Sequence, residues 1–200
     1  MGLDMYLYAE KHISAWDYEM VEGEMERKDN PAHDLLIGIA DMHTLPSGEY
    51  GGVTVVKTVA YWRKANAIHG WFVRELAGGV DTCQRIDVSR SDLVRLRDLC
   101  VNELYNRNNA KPTKRDDVIK LDDESNDTHA KIMEAINLEA TKTNVAVDDS
   151  LLAPVSGFFF GSTERDSWYY NSLEYTADTI NSLLANDTEN ELRFYYEASW

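Results

Sequence analysis

The chain has 200 residues, 44% of them hydrophobic and 28% charged, with 35 acids against 20 bases and a formal net charge of −15. These proportions exclude wholly disordered, collagen-like and disulfide-scaffold chains, and they predict one domain able to bury a core without staples. No apolar run approaches the ~18 residues of a membrane span, and the opening Met-Gly-Leu-Asp-Met-Tyr lacks the basic and apolar stretches of a signal peptide, so the expectation is a soluble cytoplasmic protein.

Leu3–Ala9 alternates aliphatic and aromatic side chains and reads as a first strand. Ser14–Asp29 is acidic, with Trp16, Tyr18 and Met20 interspersed, and suits an edge excursion or a short helix. Leu35–Ile39 is apolar and is followed by the turn cluster Thr44-Leu-Pro-Ser-Gly48. Val53–Ala60 is β-branched and predicts a strand. Tyr61–Leu76 predicts a helix, because Tyr61, Ala65, Ile68, Phe72 and Leu76 form one stripe and Gly78-Gly79 follows.

Arg85–Val88 is a short strand candidate. Ser89 or Ser91 then caps a helix with the stripe Leu93, Leu96, Cys100 and Leu104. The polar stretch at 107–128 reads as a long loop, and Ala130–Thr141 as a weak helix. Ser156–Phe160 predicts a strand, Glu164–Ala185 a helix, and Leu192–Tyr196 a last strand. The expected architecture is a single α+β domain spanning residues 1–200, in which a mixed β-sheet carries three to four helices mainly on one face.

Charge is uneven along the chain. By successive fifties it runs −8, +3, −4 and −6, so only residues 51–100 lean basic. That excludes a general duplex nucleic-acid binder, which needs a basic footprint, and leaves room for a local anion site. Acids concentrate at Asp17–Asp29 and Asp116–Asp127. They suit a solvated surface, or carboxylates standing in for phosphates in a DNA mimic. Cys83 and Cys100 form no metal-binding pair. The short pairs Asp41/His43 and His33/Asp34 lack the spacing of a metal site, so no metal and no cofactor is expected.

Two segments could carry chemistry. On an ideal helix Trp62, Asn66 and His69 share an edge, with Arg63 one step away. An indole, an amide, an imidazole and a guanidinium can hold a base, a sugar or a phosphate, and His69 could serve as acid/base. The plainer reading makes these residues the border of the core. The second segment is the turn Gly161-Ser-Thr163 before a helix start, where Ser162, Thr163 and Arg165 could hold an anion; Glu164 and Asp166 would repel phosphate, so ordinary helix capping is the favoured reading. Trp71 falls opposite Trp62 on the wheel, among charged residues, and is either part of a partner surface, with Trp168, or covered by the 108–128 region or the N-terminal acidic segment.

Met-Gly-Leu-Asp-Met-Tyr-Leu7, Tyr61-Trp-Arg-Lys-Ala-Asn-Ala-Ile-His69, Ser156-Gly-Phe-Phe-Phe-Gly-Ser-Thr163 with Trp168-Tyr-Tyr170, and the tail Phe194-Tyr-Tyr-Glu-Ala-Ser-Trp200 together resemble a family of small uncharacterised accessory proteins of bacteriophages and prophages. The resemblance spans most of the chain outside roughly 10–50 and 106–150. It implies a role in the cytoplasm of a bacterial host and supplies no catalytic residues. The leading expectation is therefore a non-enzymatic accessory protein that binds a host protein or sequesters a host signalling nucleotide, blunting defence or redirecting metabolism. A small enzyme acting on a nucleotide or phosphorylated metabolite, with His69 as acid/base, is the alternative, and an acidic DNA mimic the second alternative. The surplus of aromatic residues also suits a homodimer.

Overall fold

A computed structural model of the chain describes residues 2–42, 51–109 and 151–200. Along β1 (Asp4–Ser14), side chains alternate between two environments. Met5, Leu7 and Ala9 are buried, while Asp4, Tyr6 and Tyr8 point the other way and keep partial exposure. The other described strands are β2 (Trp16–Val21), β3 (Glu24–Asp29), β4 (Gly52–Arg63), β5 (Ile86–Val88) and β6 (Arg193–Ser199). A four-stranded sheet runs in the order β4-β1-β6-β5, and its pairings are antiparallel.

The described helices are α1 (Pro31–Ile39), α2 (Asn66–Leu76), α3 (Arg90–Asn109) and α4 (Ser167–Asn186). The last three supply Ile68, Phe72, Leu96, Cys100, Leu173 and Ile180 to one core with Met5, Leu7, Trp62 and Tyr196 of the sheet. The chain is thus an α+β domain with its main helices on one sheet face. Helix ends are secured locally. Ser89 and Asp92 form a reciprocal capping box at the start of α3. Asp166 caps α4 by accepting from the Tyr169 backbone N–H. Arg90 donates to the Leu184 and Asp187 carbonyls and to the Asp187 carboxylate, closing the other end of α4.

The opposite sheet face carries a row of rings. Tyr61, Tyr6, Tyr8 and Tyr195 follow one another at centroid separations of 5.2, 6.0 and 4.8 Å. The Arg85 guanidinium closes the row, 3.7 Å from the Tyr195 ring centre, and bonds Glu10 at 3.1 Å. Tyr6/Tyr61 and Tyr8/Tyr195 are cross-strand pairs and Tyr6 and Tyr8 are neighbours along β1, so their faces are largely occupied.

One part of the chain leaves the sheet. β6 accompanies β1 only as far as Glu10, while β4 follows it to Ser14. The two-stranded ribbon then leads into the hairpin β2–β3, whose turn residues Glu22 and Gly23 both have positive φ, as a two-residue I′ turn requires. Helix α1 follows, capped by Asn30 with Pro31 in its first turn, and none of its residues is buried. Hairpin and helix form an arm beyond the core.

Several expectations are corrected here. The helix expected from Tyr61 begins at Asn66, because Ala60 and Trp62 alternate into the core with Tyr61 and Arg63 outward, as strand residues do. Lys64, at φ 57, breaks the strand before the helix. Trp71 is not on the surface: it is 0% exposed. Every residue from Asn66 to Phe72 is buried, so the first two turns of α2 are enclosed all round and a wheel has no outer face to assign there. Ser156–Phe160 forms turns rather than a strand, with the Phe160 N–H bonded to the Gly157 carbonyl. Of the two readings of Ser14–Asp29 the short helix is set aside, since Ser14 ends β1 and Trp16–Asp29 is the hairpin β2–β3; the apolar run Leu35–Ile39, for which the sequence suggested no element, lies in α1. Arg107 still belongs to α3; the remainder of the expected 107–128 loop beyond Asn109, and the expected helix at 130–141, lie outside the described residues.

Candidate functional site

His69 lies in the middle of α2's buried run. Its Nε2 donates to the Asp81 carboxylate at 2.9 Å, and its Nδ1 accepts from the Tyr196 hydroxyl at 2.7 Å. A carboxylate only accepts, so this tautomer is the one that satisfies both partners with a neutral ring. Phe160 packs edge-on against the imidazole at 5.1 Å. Burial pushes the Tyr196 phenol well above its ordinary value, with the Asp81 and Cys83 charges adding to the effect. The ring has no free nitrogen for a substrate proton. The arrangement ties the loop after α2, which bends through Gly78 and Gly79, to the sheet.

Asn66 has a comparable role. Its Nδ2 donates to the Phe160 and Ser162 carbonyls at 3.1 and 2.7 Å, holding the 157–163 turns against the start of α2. Trp62 is buried and donates from Nε1 to the Thr176 hydroxyl at 2.8 Å, joining β4 to α4. Arg63 is exposed and lies 3.9 Å from Asp4 on the tyrosine face. Arg165 pairs with Glu103 at 2.8 Å, linking α3 to the start of α4. Thr163 is exposed. The Ser162 hydroxyl accepts from the Glu164 N–H at 3.1 Å, a local turn bond.

A cleft of about 260 Å³ separates the start of α2 from the start of α4. Asn66 and Ser162 line one wall, Trp168 and Asp166 the other, and Lys64 and Glu164 bring opposite charges to it. Of the residues expected to bind ligand or partner, only Asn66, Ser162 and Trp168 meet here. Trp62, Arg63, His69, Thr163 and Arg165 do not line the cleft. Among the described residues, no group of three His, Cys, Asp or Glu side chains could hold a metal ion.

The arm presents a different surface. Register places Trp16, Tyr18 and Met20 opposite Asp29, Arg27 and Met25 on one side of the hairpin. Asp17, Glu19 and Val21 face Lys28, Glu26 and Glu24 on the other. The first side is aromatic and apolar: Met20 is 63% and Met25 68% exposed, and Arg27 lies over the Trp16 ring at 3.6 Å. The second side is acidic, and residues 16–29 together carry six acids and two bases. Leu35 and Ile39 of α1 add two more exposed aliphatic side chains.

Sequence reading missed this surface because it sought ligand groups on helices. The signal was present in the strict alternation of Trp16, Tyr18 and Met20 with Asp17 and Glu19, ending at Glu22-Gly23. No protein-family model, curated protein or solved structure matches the chain. No described helix is long and apolar enough to cross a membrane.

Proposed function

We propose that the protein is a non-enzymatic accessory protein that acts by docking its arm onto a partner protein. The observation that carries this reading is the hairpin itself. A two-stranded ribbon is marginal in water, and this one exposes Tyr18, Met20 and Met25 without burying a residue. Clustered exposed apolar groups rimmed by polar residues mark interaction surfaces. The acidic reverse side supports a partner that offers an apolar surface with basic residues around it. Basic surfaces of that kind occur on nucleic-acid-binding proteins, so the DNA-mimic reading becomes a special case of arm docking. The resemblance to phage and prophage proteins supports a partner from the bacterial host and a site of action in its cytoplasm. The Met20→Asp/Met25→Asp double variant keeps the acidic side and removes the apolar one. It is expected to lose partner capture while unfolding at the wild-type temperature; retained capture would overturn the reading.

The cleft favours a second reading, the sequestration of a small nucleotide-like ligand. Trp168 offers a ring face, Lys64 a cation, and Asn66 and Ser162 polar groups. Glu164 and Asp166 weigh against a highly charged phosphate ligand. Calorimetric titration with a panel of nucleotides tests it. Binding that Trp168→Ala abolishes would support the cleft, and silence across the panel would remove this reading.

A further inference from the structure

The outer edge of β4 is the feature that arm docking leaves unexplained. Among the described residues β4 pairs with β1 alone, although it is the longest strand. Val53, Thr54, Val55, Val56, Thr58 and Val59 make it β-branched almost throughout. Val55 is 42% and Val56 48% exposed, one on each face of the ribbon. Long exposed edges of this kind are templates for another strand. The register with β1 slips at Val59, where Leu7 pairs with Ala60 and Tyr8 with Thr58. This bulge bends the C-terminal part of β4 and leaves Gly52–Thr58 as a regular seven-residue edge.

Charge identifies the occupant. The chain carries −15, yet no acid occurs between Gly51 and Lys64. β4 is the one described strand without a carboxylate, and Lys57, Arg63 and Lys64 make its surroundings basic. The acidic hairpin is attached at the opposite end of the strand, where Ala15 bonds Gly51. Antiparallel pairing of two β4 edges about a two-fold axis brings the hairpin end of each copy beside the Lys57–Lys64 end of the other. Acid meets base twice by symmetry.

We propose that the Gly52–Thr58 edge pairs antiparallel with the same edge of a second copy of this chain, extending the sheet across a two-fold axis. A register centred on Val55 uses the whole regular run. It sets Val53 opposite Lys57, Thr54 opposite Val56 and Gly52 opposite Thr58, and avoids facing Lys57 with itself. Seven paired residues span about 24 Å. Seven residues a side is well short of the roughly 20–30 of a standard interface, so a weak, concentration-dependent association is expected.

Sedimentation equilibrium of the full chain from about 1 to 500 μM, a range spanning weak association, tests this. A monomer–dimer equilibrium is expected. Val55→Lys, which sets two ammonium groups at the axis, and Lys57→Glu, which removes the charge match, should each weaken it at least tenfold. Phe158→Ser, on an exposed turn elsewhere, should leave it unchanged. Hydrogen exchange of wild-type peptides covering 52–58 gives a readout independent of any variant's folding, and their protection should rise with protein concentration. A monomer at every concentration, a dimer indifferent to Val55→Lys, or exchange at 52–58 independent of concentration would each overturn the proposal. Arm docking is read by partner capture and stands or falls separately.

Discussion

His69 donates to Asp81 and accepts from Tyr196, so a neutral ring satisfies both partners at once. Removing the ring leaves a buried phenol and a half-buried carboxylate unpaired. His69→Ala is therefore expected to lower stability by about 2–4 kcal/mol, as loss of a buried hydrogen-bonded network does, measurable by urea denaturation. Trp71 behaves differently. Its Nε1 is buried and, among the described residues, has no hydrogen-bond partner. Trp71→Phe removes that donor along with some packing volume, and should cost less than about 2 kcal/mol, below the usual loss for a truncated core aromatic. Burial also holds the Tyr169 and Tyr196 phenols well above the ordinary value of 10.0. In the unfolded chain both ionise near pH 10, so their contribution is intact below that pH and is lost as the pH rises above it. The melting temperature should fall steeply above about pH 10, with two tyrosinate absorbances appearing only as the chain unfolds. Ionisation of all tyrosines ahead of unfolding would contradict this.

At the scale of elements, core and arm should respond oppositely to mutation. Ser89→Ala removes half of the capping box and should cost about 1 kcal/mol. Asn66→Ala frees the 157–163 turns from α2 and should raise proteolysis there before global unfolding begins. Met20→Asp/Met25→Asp should leave the melting temperature unchanged, since neither side chain is buried. The same contrast explains what was legible in sequence. β1, β5, α3 and α4 each show a period of one buried face, and β6 an aromatic run buried on both faces, and their positions follow from these patterns. α2 does not, because all of Asn66–Phe72 is buried, with Val155 beside Gly70 and Phe160 against His69 from the irregular segment before α4, and a stripe drawn through Tyr61 and Phe72 mixed a strand with a helix. The three phenylalanines at 158–160 suggest a strand by composition. Gly157 and Gly161 instead let the chain turn, which seats Phe160 against His69 and leaves Phe158 exposed. Of the candidate site, Asn66, Ser162 and Trp168 were separable from sequence only as residue types. Their convergence depends on two helices starting side by side, which no local pattern encodes.

Across the whole molecule, charge and exposed apolar surface are segregated. The inner face of the core sheet and its three main helices share one buried apolar core, the arm combines exposed methionines with acids, and β4 pairs exposed valines with an absence of acids. In the proposed account the arm docks a partner protein, and the β4 edge pairs weakly with a second copy. The most direct test of arm docking is parallel affinity capture from a bacterial lysate with wild-type protein, Trp168→Ala and Met20→Asp/Met25→Asp, the retained proteins being identified by mass spectrometry. The expected result is a basic protein held by wild type and by Trp168→Ala, released by added salt and absent from the methionine variant. Equal retention by all three, or a partner lost only with Trp168→Ala, would contradict docking through the arm.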